Sequence, residues 1–74
     1  DRKGEIDVDL IVADDIGQNA YFFEIKLNKK KLDKKAVKKL KSNAETIHEF
    51  QNYDKKYFGV YPEINEIVFE KLED

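Results

Sequence analysis

Asp9 and, farther along the chain, Glu24-Ile25-Lys26 are the residues whose types and spacing could do chemistry together. Each lies in a run that alternates at period two, residues 5–14 and residues 19–27, which predicts two strands. The short Asp15-Ile16-Gly17-Gln18 link between them predicts an antiparallel hairpin. A four-residue loop sets opposed residues to numbers that sum to 33, which pairs Asp9 with Glu24, Asp7 with Lys26, Ile11 with Phe22 and Ala13 with Ala20. Carboxylates directly opposite on one face have Cβ atoms about 5 Å apart and repel one another. A divalent cation removes that repulsion, and Mg²⁺ is held by one or two carboxylates with water and phosphate oxygens completing its shell. A lysine two residues beyond Glu24 points the same way and can orient a metal-bound water while screening phosphate charge. The chemistry this constellation fits is metal-assisted phosphodiester hydrolysis. Asp7 shares the face of Asp9 and is a second candidate for the first metal ligand; Lys26 has the alternative of a cross-strand ion pair with Asp7.

The elements that must hold these residues follow from the apolar pattern. One hairpin face collects Ile6, Val8, Leu10 and Val12 with Tyr21, Phe23, Ile25 and Leu27, and it is expected to meet a helix. Ala36, Val37, Leu40, Ala44, Ile47 and Phe50 form one helical stripe over residues 34–51, with Asp33 as its N-cap. Residues 56–61 read as a strand stopped by Pro62, and a last apolar run surrounds Ile67, Val68 and Phe69. The expected fold is α/β, a mixed sheet in the order strand, strand, helix, strand, strand, in one domain spanning residues 1–74. Ile11, Ala13, Ala20 and Phe22, on the charged face, are left without evident cover, which predicts a homodimer or a further helix over them. His48, at the edge of the helical stripe, is expected to be a half-buried packing residue, and Tyr53, Tyr57 and Tyr61 are expected to pack in the core.

Asp9-Leu-Ile-Val-Ala followed by Phe22-Phe-Glu24-Ile-Lys26, with the lysine-rich start of the helix behind them, resembles the signature of the PD-(D/E)XK nuclease superfamily. More narrowly, it is similar to the domain of unknown function at the C-terminus of archaeal AAA-type ATPases. The resemblance covers roughly residues 4–61. It implies a restriction-endonuclease-like fold, Mg²⁺ or Mn²⁺ as cofactor, DNA as substrate, and an ATPase domain elsewhere in the parent chain. Matched residue by residue, Asp9 and Glu24 take the place of the metal-binding acids and Lys26 that of the catalytic lysine. The superfamily core opens with a helix that often supplies another acid, and nothing here matches it.

The charge distribution supplies a candidate substrate surface. Residues 26–41 hold nine lysines against Asp33 alone, between two acidic segments. Lys29, Lys30, Lys31, Lys34 and Lys35 stand in the loop and first helical turn, where the helix dipole disfavours cations, and are the expected contacts to a nucleic-acid backbone. The same block also fits the solvated face of a Lys/Glu-rich helix, the better reading for Lys38, Lys39 and Lys41. With no cysteine the chain has no disulfide framework, thiolate metal site or cysteine nucleophile, which fits a cytoplasmic location. A single histidine excludes histidine-rich zinc sites, and the apolar runs are too short to predict a membrane-spanning helix. Gly17 and Gly59 belong to no phosphate-binding loop pattern. Asp1 in place of Met and the apolar Leu72 close to the end point to a piece excised from a longer protein. The alternatives to a nuclease are a non-catalytic DNA-binding or regulatory module of an ATPase, and an oligomerisation domain in which the lysine run is incidental.

Overall fold

A computed structural model describes residues 8–72. Four strands lie side by side in chain order: β1 (Leu10–Asp14), β2 (Asn19–Ile25), β3 (Asp54–Glu63) and β4 (Glu66–Lys71). The β1–β2 and β3–β4 pairs are antiparallel and β2–β3 is parallel, so the sheet is mixed. One helix, α1 (Lys34–Glu45), makes the crossover between the parallel strands, with a 3-10 turn on each side, Lys29–Lys31 and His48–Phe50. Neither 3-10 turn is marked by the periodicity of the sequence. Among the described residues no helix is long and apolar enough to cross a membrane.

The hairpin register is the one that a sum of 33 requires, with Ile11 opposite Phe22 and Ala13 opposite Ala20. The left-handed position of its turn falls on Gln18 and not on Gly17. Gln18 takes the left-handed conformation (φ 55), while the Gly17 and Asn19 side of the loop closes onto Asp14. Gly17 N–H donates to Asp14 Oδ1 at 3.0 Å, and the Asn19 amide donates to Oδ2 at 3.3 Å. These donors, the Gly17 bond first, hold the Asp14 carboxyl below the usual carboxylate range. A depressed carboxyl stabilises the fold above its unfolded pKa of about 4 and loses that contribution as pH falls through the folded value. Acid titration of thermal stability should therefore show a shallower loss below pH 4 in Asp14→Ala than in the wild type, and equal slopes would show that the turn carries none of it.

Asp33 caps α1 as the sequence indicates, its Oδ1 accepting from Ala36 N–H at 2.9 Å. Asp33→Ala should cost about 1 kcal/mol, and a thermal melt should register it as a fall of about 4–8 °C. The helix stops at Glu45, short of the expected residue 51. Two β-branched residues in succession end it: Thr46 turns its hydroxyl and its N–H back to Asn43 O, and Ile47 is extended (φ −90, ψ 106). β3 likewise departs from expectation by running through Pro62. Lys26 N–H donates to Val60 O at 2.9 Å, so even-numbered residues of β3 face β2. The β2–β3 ladder ends at Val60, and proline's missing N–H two residues on lies past it and removes no ladder bond. The β3–β4 turn is Ile64-Asn65, with Asn65 at φ 67.

The largest correction concerns which sheet face meets the helix. Of the face expected to meet α1, Leu10, Val12, Ile25 and Leu27 are all exposed and Val8 packs against the core, while Ile6 lies outside the described residues. The core lies on the other face, where Ala20 and Phe22 are buried against Leu40, Ala44 and Leu72, with Ile11, Val37 and Tyr57 packed around them. Phe22, expected to lack cover, is fully buried, its ring stacked on Tyr57 at 5.7 Å and edge-on to Phe50 at 6.0 Å. Chirality explains the choice. Lys26 N–H reaches Val60 O, so even-numbered residues of β2 turn their backbone groups toward β3. For L-residues this puts β3 on the right of β2 when viewed from the Phe22 side, and a helix on that side makes a right-handed crossover. Parallel connections take that hand almost without exception.

Candidate metal and nucleic-acid site

Glu24 and Lys26 stand on the helix-covered face at the carboxyl end of β2, the end of parallel strands where open α/β sheets place their ligands. Lys26 Nζ lies 3.2 Å from Glu24 Oε2, with the side chains 33% and 19% exposed, so the pair is partly desolvated. Glu24 is opposite Gly59 on β3, and the Leu32 side chain fills the space that a Cβ at Gly59 would occupy. Leu32 leads from the Lys29–Lys31 turn into the Asp33 cap. Packing at Gly59 therefore anchors the basic turn beside the Glu24 rung.

Asp9 falls one residue before the β1 ladder, so the pairing with Glu24 is not continued as a backbone rung. Its carboxylate joins the ladder instead: Ile25 N–H donates to Asp9 Oδ2 at 2.8 Å. That bond fixes the acid against the residue between Glu24 and Lys26. The Asp9 carboxylate is thus tied to the backbone between Glu24 and Lys26 at the open end of the hairpin. Asp7, the other candidate ligand and the alternative partner for Lys26, lies outside the described residues.

The lysines at 29, 30, 31, 34 and 35 are all exposed, three in the 3-10 turn and two in the first turn of α1. His48 is exposed in the second 3-10 turn and does not pack as expected, whereas Tyr61 is buried and Tyr53 and Tyr57 pack against the core. Among the described residues no group of three or more acids and histidines is placed to hold a metal ion. Asp9 and Glu24 are a two-carboxylate set, a number that suits Mg²⁺ or Mn²⁺ with its remaining positions filled by water and substrate oxygens.

Two features escaped the sequence reading. Glu70 lies in the same rung as Glu24, across Gly59, and two strand spacings put it about 10 Å away. Tyr61 O–H donates to Glu70 Oε1 at 2.9 Å, and this bond, with burial, pushes the Tyr61 hydroxyl up. The two-residue Ile64-Asn65 turn was the signal: it pairs residues summing to 129, and Glu70 follows from Gly59. The second feature is a cleft of about 470 Å³ at the opposite end of β3, lined by Lys41, Lys55, Lys56 and Lys71 together with Asp54. Lys56 there bonds Asp54 at 2.9 Å and Asn19 at 2.8 Å, which ties the cleft to the hairpin. Compared with protein-family models, curated proteins and solved structures, the chain matches none of them.

Proposed function

We propose that this domain is a nuclease-like module that hydrolyses phosphodiester bonds of DNA with Mg²⁺ or Mn²⁺, built as a restriction-endonuclease-like sheet and carried in a longer chain with an archaeal-type ATPase domain. The observation that carries the reading is the Asp9 carboxylate on the Ile25 amide, which sets one acid beside a Glu-x-Lys pair at the carboxyl end of a central strand. Asp9 and Glu24 would hold the ion, with Asp7 as a further donor. Bound there, such an ion supplies charge for the phosphate and a more acidic water.

The protein's own residues do the positioning. Ile25 N–H fixes Asp9 through one carboxylate oxygen, and Leu32 packs over Gly59 beside Glu24. Lys26 is tethered by its 3.2 Å contact to Glu24 and would present its ammonium to the phosphate group undergoing attack. Lys29, Lys30 and Lys31, on the turn that follows, would track the backbone of the strand being delivered. Replacing these three by alanine should weaken DNA binding and make the plot of log affinity against log salt shallower by about 2 to 3. An unchanged slope would remove the turn from the interface.

The ion pair also favours a second reading. Lys26 already neutralises Glu24, so the domain can be stable without a metal and serve as a non-catalytic DNA-binding or regulatory module. Salt-sensitive binding without cleavage at any metal concentration would select it.

A further inference from the structure

We propose that the cleft at the amino end of β3 is an anion site for a ligand carrying several linked phosphates, met chiefly by Lys55 and Lys71. It lies at the end of the sheet remote from Glu24 and shares no residue with the candidate metal site, so its ligand does not depend on the nuclease reading. Its lysines arrive from three elements: Lys41 from the later turns of α1, Lys55 and Lys56 from the start of β3, and Lys71 from the end of β4. Only Lys41 belongs to the lysine block of residues 26–41; the fold assembles the rest. In a chain of net charge −2, the lining sets these four lysines against one acid, Asp54.

Register explains why cations crowd here. The β3–β4 ladder closes on the Phe58–Lys71 rung, and Leu72 N–H adds a bond to Tyr57 O at 2.8 Å. Lys56 and Lys71 therefore share a sheet face as diagonal neighbours on adjacent strands, about 7–8 Å apart. Lys56 is already committed: its ammonium donates to Asp54 Oδ2 at 2.9 Å and to Asn19 Oδ1 at 2.8 Å, and with Asp54 it makes a neutral wall. Lys55 has a 3.5 Å contact to an uncharged acceptor, Gln51 O, and Lys71 stands at the end of its strand, exposed. The field of Lys71 reaches into the cleft, because together with Lys56, whose hydrogen bond and charge act first, it holds the Asp54 carboxyl below the usual carboxylate range. Ammoniums gathered in this way repel one another, and a bound anion removes that repulsion.

The lining selects phosphate oxygens over a base. Lysine binds phosphate as a point charge. The one ring present, Tyr57, is engaged by Phe22 at 5.7 Å and by the Lys41 ammonium at 5.3 Å, which leaves a base nothing to stack on. A volume of about 470 Å³ is on the scale of small-ligand sites and exceeds what one phosphate fills, so a short run of phosphates fits. A free oligophosphate and the backbone of a single-stranded nucleic acid present this same chemistry.

Inorganic tripolyphosphate is the probe, titrated with EDTA present into the full 74-residue chain so that the acidic Glu73 and Asp74 after Leu72 are there to compete. Lysine-detected NMR should show saturable shifts at Lys55 and Lys71, and sulfate at equal ionic strength should not reproduce them. Lys55→Gln and Lys71→Gln should each weaken binding by about fivefold or more, and Asp54→Asn, which removes the one acid and releases Lys56, should tighten it by about as much. Lys38→Gln, the same loss of charge on the exposed face of α1, should leave it unchanged. A spectrum of each variant shows whether it is folded, and the wild-type shifts locate the site in any case. A short oligothymidylate that displaces tripolyphosphate from Lys71 identifies a nucleic-acid backbone as the source of the phosphates; failure to displace it identifies a free oligophosphate. The proposal is overturned if the wild type does not bind, if sulfate gives the same shifts, if the shifts fall on Lys29–Lys31 and not on the cleft, or if Lys38→Gln weakens binding as much as Lys71→Gln.

Discussion

Phe22→Ala should unfold the domain or leave it without fixed tertiary packing, whereas Phe23→Ala, one residue on, should remain folded with a modest loss. Phe22 is fully buried in contact with Tyr57 and Phe50, and truncating such a ring costs about 3–5 kcal/mol in lost transfer energy and residual cavity. A chain of 74 residues has about 4–11 kcal/mol of total stability, so that loss consumes much or all of it. Phe23 points to the open face, where the mutation removes contacts with Phe58 and Phe69 but opens no enclosed cavity. Urea unfolding of both variants measures the contrast. A larger loss for Phe23→Ala would put the core on the Tyr21 and Phe23 face and overturn the arrangement described above.

The sequence carries the hairpin and its register because the loop length and the apolar alternation agree on one pairing, from Leu10–Phe23 to Asp14–Asn19. It carries the helix start because Asp33 has a cap to make. The choice of sheet face was misjudged for a physical reason: both faces of this hairpin are apolar near the turn, and a count of apolar residues favours the one that stays open. Handedness decides instead. A rule for parallel crossovers, applied to the side on which even-numbered residues of β2 bond to β3, puts the helix over Phe22. The helix end was missed because Ile47 and Phe50 continue the stripe after the backbone has left the helix at Thr46, both still packing on the core. At the candidate site, alternation brings Glu24 and Lys26 onto one face. The role of Asp9 as an acceptor closing the ladder has no signature in spacing, because a side chain there replaces a backbone carbonyl. Glu70 joins the rung only once β4 is paired through its tight turn.

The most direct test of the proposed chemistry is a MnCl₂ titration of the wild type, Asp9→Ala, Glu24→Ala and Lys26→Ala, following melting temperature and nicking of plasmid and branched DNA. On the proposed reading Asp9 and Glu24 hold a cation in the folded state alone. At ten times the dissociation constant that linkage contributes about 1.4 kcal/mol, or about 5–10 °C for a domain of this size. Asp9→Ala and Glu24→Ala should lose the shift. Lys26→Ala should keep it and respond at lower metal concentration, because the ammonium that competes for Glu24 is gone. Cleavage should disappear in all three. The account predicts metal-dependent stabilisation and nicking in the wild type alone, with stabilisation retained in Lys26→Ala; a wild type indifferent to millimolar Mn²⁺, or cleavage that persists in Glu24→Ala, would contradict it.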